Sequence, residues 1–528
     1  MSSRQFAEKG EGKGGEGKAK STGSQVSLCF SASSPPGYLA PCISGYSFNV
    51  ARLLGIDIGT SGCKVILIDE HGALLKQASA EYPLLTPKPM WTEQNPIDWW
   101  NAVQKCLIEL GERSVDGIGV TGQMHGSVFL DSNDEVIRPA LLWNDQRTIE
   151  QCKNIEENIG KEALMNVTCN PALTGFQLPK ILWLRDNEPG NYRRLHSVLL
   201  PKDYIRFMLT GAKASEVSDA SGTGIFNVPK RSWSLSMMES LNIPNYLFPE
   251  VYESDEVTGI TKECSFLAGG IPVVGGGGDQ AAAAVGTGAV DIGSISVSLG
   301  TSGVVFTTIN SAAYDSNGAA HTFCHANRGW HAMGVMLSCG GALRWFRDAF
   351  CTGDSYDSIT EMARRSKEGS GGVTFLPYLA GERCPHNDPN ARGVFAGMSL
   401  STTKDDLSRS VYEGVTFGLL DGFELLRSLG ASADTVTVTS GGSKSDFWVQ
   451  MIADNFHVPC RRLVVDEGPA FGAAILAGVG IGVWDTVSEA CGATVKVKDV
   501  LLPRSCESSQ YHEQYRKLYA DIRNWNPV

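Results

Sequence analysis

The sequence predicts an α/β protein built from two related domains, and three observations predict it. A Gly-Thr-Ser-Gly turn at residues 59–62 recurs at residues 300–303, 241 residues later, each time between two runs rich in Ile, Leu and Val. Two more glycine clusters, at 275–278 and 441–442, each follow a β-type run and precede a helix-type run. The chain is 528 residues long, about three times the ~150 residues of one domain.

The elements follow in order. Residues 53–57, the turn 59–62 and residues 63–69 (LLGIDIGTSGCKVILID) read as strand, glycine turn and strand. Asn95 and Pro96 are an N-cap and first-turn proline for a helix running to about Gly111. Strands are expected at 117–122 and, after Gln123–Gly126, up to Asp131. Residues 271–274 lead as a strand into the glycine run and then the small-residue stretch 281–288. Residues 435–440 lead as a strand into Gly441-Gly442-Ser443-Lys444-Ser445 and a helix over 446–456. The first 50 residues differ in kind. Residues 8–20 are almost entirely Gly, Glu and Lys, and Ser, Gly and Pro dominate 21–45. Such a segment cannot bury enough apolar surface to offset its chain entropy, so residues 1–50 are expected to be a disordered extension. Its apolar run is too short for a secretory signal, and Glu8, Glu11 and Glu16 disfavour an organellar presequence.

Composition narrows the function. Acidic residues outnumber basic ones, 57 to 45, for a net charge of -12, which argues against duplex nucleic acid as partner. No stretch approaches the ~18 apolar residues of a membrane helix. The 14 cysteines never form a C-x-x-C pair, which fits reduced thiols in a cytoplasmic protein. His321 and His325, with Cys324 and His331 nearby, resemble a metal spacing, but residues 320–326 read as extended, and zinc is not expected.

Glycines where a strand meets a helix let a ligand approach the backbone, and the helix N-terminus favours phosphate. Four such turns in an acidic chain point to a nucleotide. Neither a P-loop (G-x-x-x-x-G-K-[ST]) nor a strand-linked G-x-G-x-x-G is present, which excludes P-loop and Rossmann sites. Phosphoryl transfer needs positioned phosphates, a metal to neutralise charge, and a base for the attacking hydroxyl. The candidate base is Asp279, at the end of the glycine run; the plainer reading is a helix N-cap. Asp57 lies among aliphatics on the first strand, where a charge is costly unless paired or near a metal; it is the candidate Mg²⁺ ligand, with a structural ion pair as the alternative. Recognition of a polyol falls to the polar turns Gln123-Met124-His125-Gly126 and Trp143–Arg147.

Taken together, GIDIGTSGCKVILID, QMHG, LLWNDQR, LLPKDYIR, GGGGDQAAAAVG, SLGTSG, LPYLAGERCPHNDPNARGVF and SGGSKSDFW resemble the FGGY family of sugar kinases, most closely its xylulokinase branch, from about Leu53 to the C-terminus. The resemblance implies two actin-like (ribonuclease-H-like) domains around a central cleft, expected at residues 51–291 and 292–528. It implies ATP-dependent, Mg²⁺-assisted phosphorylation of D-xylulose to D-xylulose 5-phosphate, with Asp279 as base, Asp57 near the metal, and Gln123, Met124, His125 and Asp279 at the sugar. Gly59, Thr60, Ser61, Gly300 and Thr301 match the phosphate turns, and Gly441, Gly442 and Ser445 the adenosine end. Glycerol kinases of the family carry an Arg-Glu pair where this chain has Met124-His125, which favours a ketopentose. Gln280 stands where the branch often has Asn, and Cys384 where Thr is usual. A kinase for another ketose or polyol (ribulose, gluconate) and a non-catalytic sugar or nucleotide sensor are the alternatives. Monomer and homodimer both fit.

Overall fold

The computed structural model describes residues 50–465, 467–505 and 508–524. The extension expected at 1–50 therefore falls outside the described residues except for Val50, which is exposed.

Two seven-stranded sheets organise the chain. The first contains β1 (Arg52–Ile58), β2 (Gly62–Asp69), β3 (Leu74–Glu81), β4 (Gly117–Gly122), β5 (Val257–Ile260), β6 (Pro272–Val274) and β7 (Gly277–Gly278). Its order is β5-β6-β4-β1-β2-β3, with β7 also paired to β4. The second contains β8 (Ser294–Leu299), β9 (Gly303–Ile309), β10 (Ala320–Cys324), β11 (Trp330–Met336), β12 (Thr435–Thr439), β13 (Cys460–Leu463) and β14 (Val497–Leu501), in the order β10-β11-β9-β8-β12-β13-β14. Both sheets carry the same plan. A three-stranded antiparallel meander (β1-β2-β3 or β8-β9-β11) is followed by two parallel neighbours (β4, β6 or β12, β13) and an antiparallel edge strand (β5 or β14). The recurring Gly-Thr-Ser-Gly is the first hairpin of each plan, so the internal repeat read from the sequence is structural.

Helices cover the sheets. They are α1 (Pro96–Leu110), α2 (Pro201–Thr210), α3 (Asp279–Thr287), α4 (Gly340–Phe350), α5 (Lys404–Ser428), α6 (Asp446–Phe456) and α7 (Gly468–Gly480). Asn95 caps α1 as expected, its side chain accepting the Ile97 N–H at 3.3 Å, and Gly111 ends it at φ 68°. One apolar face of α5 sits under the second sheet, where Val411, Val415, Leu419 and Phe423 join Val297, Val305 and Val438 in one core. A second core joins α1 to the first sheet through Trp99, Val103 and Leu107 against Ile56 and Val65.

Helix α7 crosses between the halves of the chain. It lies in sequence between β13 and β14 of the second sheet, yet Phe471, Ala474 and Ile475 pack with Leu53 and Ile66 of the first sheet and with Ala281 and Val285 of α3. Close approach makes this possible. A Cβ on Gly55, Gly119 or Gly472 would overlap the carbonyl oxygens of Ala470, Ala473 and Ala282 respectively. Among the described residues no helix is long and apolar enough to cross a membrane.

Candidate active site

Register brings three strand ends together. Asp57 on β1 is opposite Thr121 on β4, which is opposite Gly277 on β7; Ile58, Gly122 and Gly278 form the next row. All three strands run parallel, so Gly59–Ser61, Gln123–His125 and Asp279 leave the sheet at one edge, the carboxyl end where α/β sheets place ligands. The second sheet repeats this. Ser298 on β8 is opposite Thr439 on β12, so Gly300–Thr301 and Gly441–Gly442 also emerge side by side, with a 2.9 Å bond between the Ser298 and Ser440 hydroxyls. The structure thus gathers the predicted residues into two groups, one per sheet. No hydrogen bond between described residues joins the groups.

Asp279 is the first residue of α3, and the N-cap is Gly278. Its carboxylate bonds to the side chain and backbone of Gln280, but the cap position is held by Gly278, so the N-cap reading does not hold. Burial pushes Asp279 up to about 6, with hydrogen bonds from Gln280 opposing. Asp57 is pushed up to about 7, first by burial and then by the nearby Asp279 charge, while Lys64 pulls it down. One Asp57 oxygen, Oδ1, is buried without a partner. Among the described residues no ion pair forms at Asp57; Lys64 pairs with Glu467.

The Gln123–Gly126 turn is shaped by glycines. A Cβ on Gly222 would lie 2.6 Å from the His125 ring and 3.0 Å from Met124 Cε, and one on Gly278 would lie 2.8 Å from Met124 Cγ. His125 adopts φ 68°, an uncommon conformation for a residue other than glycine. The ring stacks on Phe176 at 4.7 Å, and its Nδ1 donates to Gly222 O at 2.6 Å, leaving Nε2 as an acceptor. Burial holds the imidazole down at about 3, so it is neutral at physiological pH. Lys180 Nζ secures the backbone by donating to His125 O at 2.8 Å.

Gln123 is buried, and both ends of its amide are engaged. Nε2 donates to Gln94 Oε1 at 2.9 Å, and Oε1 accepts from the Thr60 hydroxyl at 3.3 Å. Thr60 Oγ1 also accepts from Trp143 Nε1 at 3.0 Å, and Thr60 O from Gln94 at 2.8 Å. The Gln123–Gly126 turn and the Gly59–Ser61 turn are therefore one hydrogen-bonded unit. Of the 143–147 turn only Trp143 faces outward. Asp145 and Arg147 form a buried 2.7 Å ion pair, with the guanidinium 3.7 Å from the Trp91 ring centre.

On the second sheet, the N–H groups of Gly340 and of Cys339 and Gly341 donate to Gly300 O and Thr301 O at 2.8–3.0 Å, fixing the turn against the start of α4. Residues Gly441–Lys444 form a 3₁₀ turn, and the Ser445 hydroxyl caps α6 by accepting the Trp448 N–H at 3.3 Å. His321 and His325 bond to protein groups, His331 has both ring nitrogens buried without a hydrogen-bond partner, and no cluster of three or more metal-type ligands occurs among the described residues.

Sequence reasoning gave no role to what lies beneath the glycine run. Lys202 Nζ, fully buried on α2, contacts Asp203 at 2.7 Å, Gly275 O at 3.3 Å and Glu216 at 3.4 Å. Glu216 accepts from Ser218 N, Asp219 N and the Ser218 and Ser254 hydroxyls at 2.8–2.9 Å. Ser218 Oγ in turn accepts the Gly278 N–H at 3.1 Å, just before Asp279. The one available signal was Lys202, Asp203 and Arg206 among the apolar residues of one helix stretch. Charges there are expensive unless paired, so their presence marks a buried network.

The chain matches the N-terminal domain of the FGGY family of carbohydrate kinases over residues 52–286 and its C-terminal domain over 295–481. It is 38% identical over 482 residues to the xylulose kinase of Escherichia coli K12, an overlap covering 89% of this chain and 99% of that protein. The crystal structure of a kinase from Brucella ovis, described as a xyloylose kinase, superposes with a TM-score of 0.85 at 35% identity, covering 90% of this chain and 99% of that one. A gluconate kinase from Lactobacillus acidophilus superposes at 0.84 with 25% identity, over 90% and 98% of the two chains.

Proposed function

The chain belongs to the FGGY family of carbohydrate kinases, and we propose that it carries out the ATP-dependent phosphorylation of xylulose, taking D-xylulose to D-xylulose 5-phosphate. The observation that carries this reading is the strand register that sets Asp279 beside the Met124–His125 turn and the Gly59–Ser61 turn at one sheet edge.

The chemistry follows from that grouping. The terminal hydroxyl of the sugar attacks the γ-phosphorus, its proton passes to the Asp279 carboxylate, and ADP leaves. Met124 and the neutral His125 hold the sugar, the imidazole Nε2 being able to accept from a hydroxyl. Gly59, Thr60 and Ser61, with Gly300 and Thr301, cradle the phosphates through backbone amides. Gly441, Gly442 and Ser445 flank the adenosine. Residues 51–291 then carry the sugar and first phosphate turns, and 292–528 the second phosphate turn and the adenosine end. The orphaned Asp57 Oδ1 fits a Mg²⁺ ion, which Asp57 would hold and which would supply neutralisation of phosphate charge. The free cysteines of the described residues agree with a cytoplasmic enzyme.

The test is ADP release with Mg-ATP against D-xylulose, D-ribulose, L-ribulose, L-xylulose, gluconate and glycerol. Strong turnover on D-xylulose alone is expected; faster turnover on gluconate or ribulose would keep the kinase and replace the substrate. The same assay reads the base. Asp279 accepts a proton only when ionised, so kcat/KM should fall about tenfold per unit below pH about 6 and level off above it. A profile that stays flat through the acid range would remove Asp279 from that role.

A further inference from the structure

The loop after Leu376 carries an arginine with unusual company. Most arginines of this acidic chain meet a carboxylate: Arg138, Arg147, Arg206, Arg231, Arg409 and Arg462 all do. Arg383 does not, although burial pulls its pKa below the ordinary arginine value. The neighbouring Glu382 is turned away. Its Oε1 accepts the N–H groups of Leu337 and Arg383 at 3.0 and 2.8 Å, and its Oε2 is buried without a partner.

The only side chain bonded to the Arg383 guanidinium among the described residues is His321, through Nη1 and Nε2 at 3.2 Å. The donor pattern fixes that bond. Asn170 Nδ2 donates to Thr168 O at 2.9 Å and Thr322 O at 2.8 Å, so Asn170 Oδ1 must accept. It accepts from His321 Nδ1 at 2.8 Å, which leaves His321 Nε2 as the acceptor for Arg383. One Nη1 proton is used, and Nε and Nη2 are bonded to no described residue. A partly desolvated guanidinium with most of its donors unused is costly to keep, and such groups concentrate at functional sites.

Its position says which site. His321 lies on β10, stacked on Phe323 at 5.8 Å, and Phe323 lies 6.0 Å from the His125 ring. The Arg383 charge acts on both His125 and His321. Arg383 therefore reaches the His125 side of the sugar turn from the opposite half of the chain.

We propose that Arg383 is a sugar-binding residue supplied by the second half of the chain, its free N–H groups donating to two neighbouring oxygens of the ketose, with His321 and Asn170 as positioning residues. A planar fork of donors suits adjacent sugar oxygens, and a lysine would not reproduce it. The proposal rests on the reading of Met124–His125 as the sugar turn. It also makes sugar binding depend on both halves of the chain being in place.

The experiment measures KM for D-xylulose and for ATP, with kcat, in Arg383→Met, Arg383→Lys, His321→Ala and His125→Ala, and checks each fold by circular dichroism and thermal unfolding. Arg383→Met should raise KM for D-xylulose by roughly 30- to 100-fold, the loss of two charge-assisted bonds, with KM for ATP within about twofold. Arg383→Lys should fold if the Met variant does not, and should still show a rise of about tenfold or more, because one ammonium cannot replace the fork. His321→Ala should move the same constant less. If His125→Ala raises KM for the sugar while both Arg383 variants leave it within about threefold, this inference is wrong and the sugar turn stands. If none of the variants moves it, both fall. If Arg383→Met raises KM for ATP instead, the guanidinium serves phosphate and the proposal is overturned.

Discussion

Replacing Asp279 with alanine should lower kcat by ~10²–10⁴-fold, the range a general base contributes, while the protein stays folded and still binds ATP. The fold has little stake in this side chain. Gly278, not Asp279, is the N-cap of α3, so removing the carboxylate costs the helix about 0.3–1 kcal/mol of dipole interaction together with its bonds to Gln280. The Ser218 hydroxyl still receives the Gly278 N–H in the variant, which keeps the end of the glycine run in place. Asp279→Asn is the stricter probe, since it preserves shape and removes only the ability to take a proton. Turnover near wild type in either variant, measured as ADP release at saturating sugar, would show that another group accepts the proton.

The second large effect concerns the crossing helix. Valine at Gly119 or Gly472 should destabilise the protein by about 3–5 kcal/mol or prevent folding, because each new side chain would have to occupy space already filled by backbone. At Gly472 the obstacle is Ala282 O of α3; at Gly119 it is Ala473 O of α7. Backbone in a packed helix cannot move aside as a flexible side chain can. Gly441→Ala is the control, since a Cβ there meets nothing within 4 Å. It should leave the thermal midpoint nearly unchanged, within about 0.5 kcal/mol, and any loss it causes should appear in KM for ATP. If valine at Gly472 melted like wild type, the tight seating of α7 on α3 would be disproved.

These two effects arise from differently legible features. The placement of Asp279 at the head of α3 could be read in advance because its parts are local: a β-type run, glycines, one carboxylate and a small-residue helix occur within 18 residues (271–288). The β1–β2 hairpin, α1 with its Asn95 cap and Gly111 stop, and α6 over 446–456 were legible for the same reason. Gln123 was placed correctly on the turn, but not its amide, which is consumed by Gln94 and Thr60. Asp145 and Arg147 looked like ligand groups beside Trp143 and turned inward as a buried pair. Polar residues after a strand look alike in sequence whether they face a ligand or each other.

What the sequence by itself determined is the pair of glycine hairpins, the strands that flank them and the carboxylate at the head of α3, because period, turn chemistry and helix punctuation act over a few residues. Tertiary structure decided the rest. It laid α7 across the first sheet, buried Lys202 and Glu216 beneath the glycine run, and brought Arg383 to His321, which Asn170 holds on its other side. Those contacts join residues tens to hundreds of positions apart, and their energy comes from close packing and from pairing polar groups away from water. Neither depends on local pattern, so an Ala-Gly helix or an arginine in a loop carries no mark of its partner until the chain has folded.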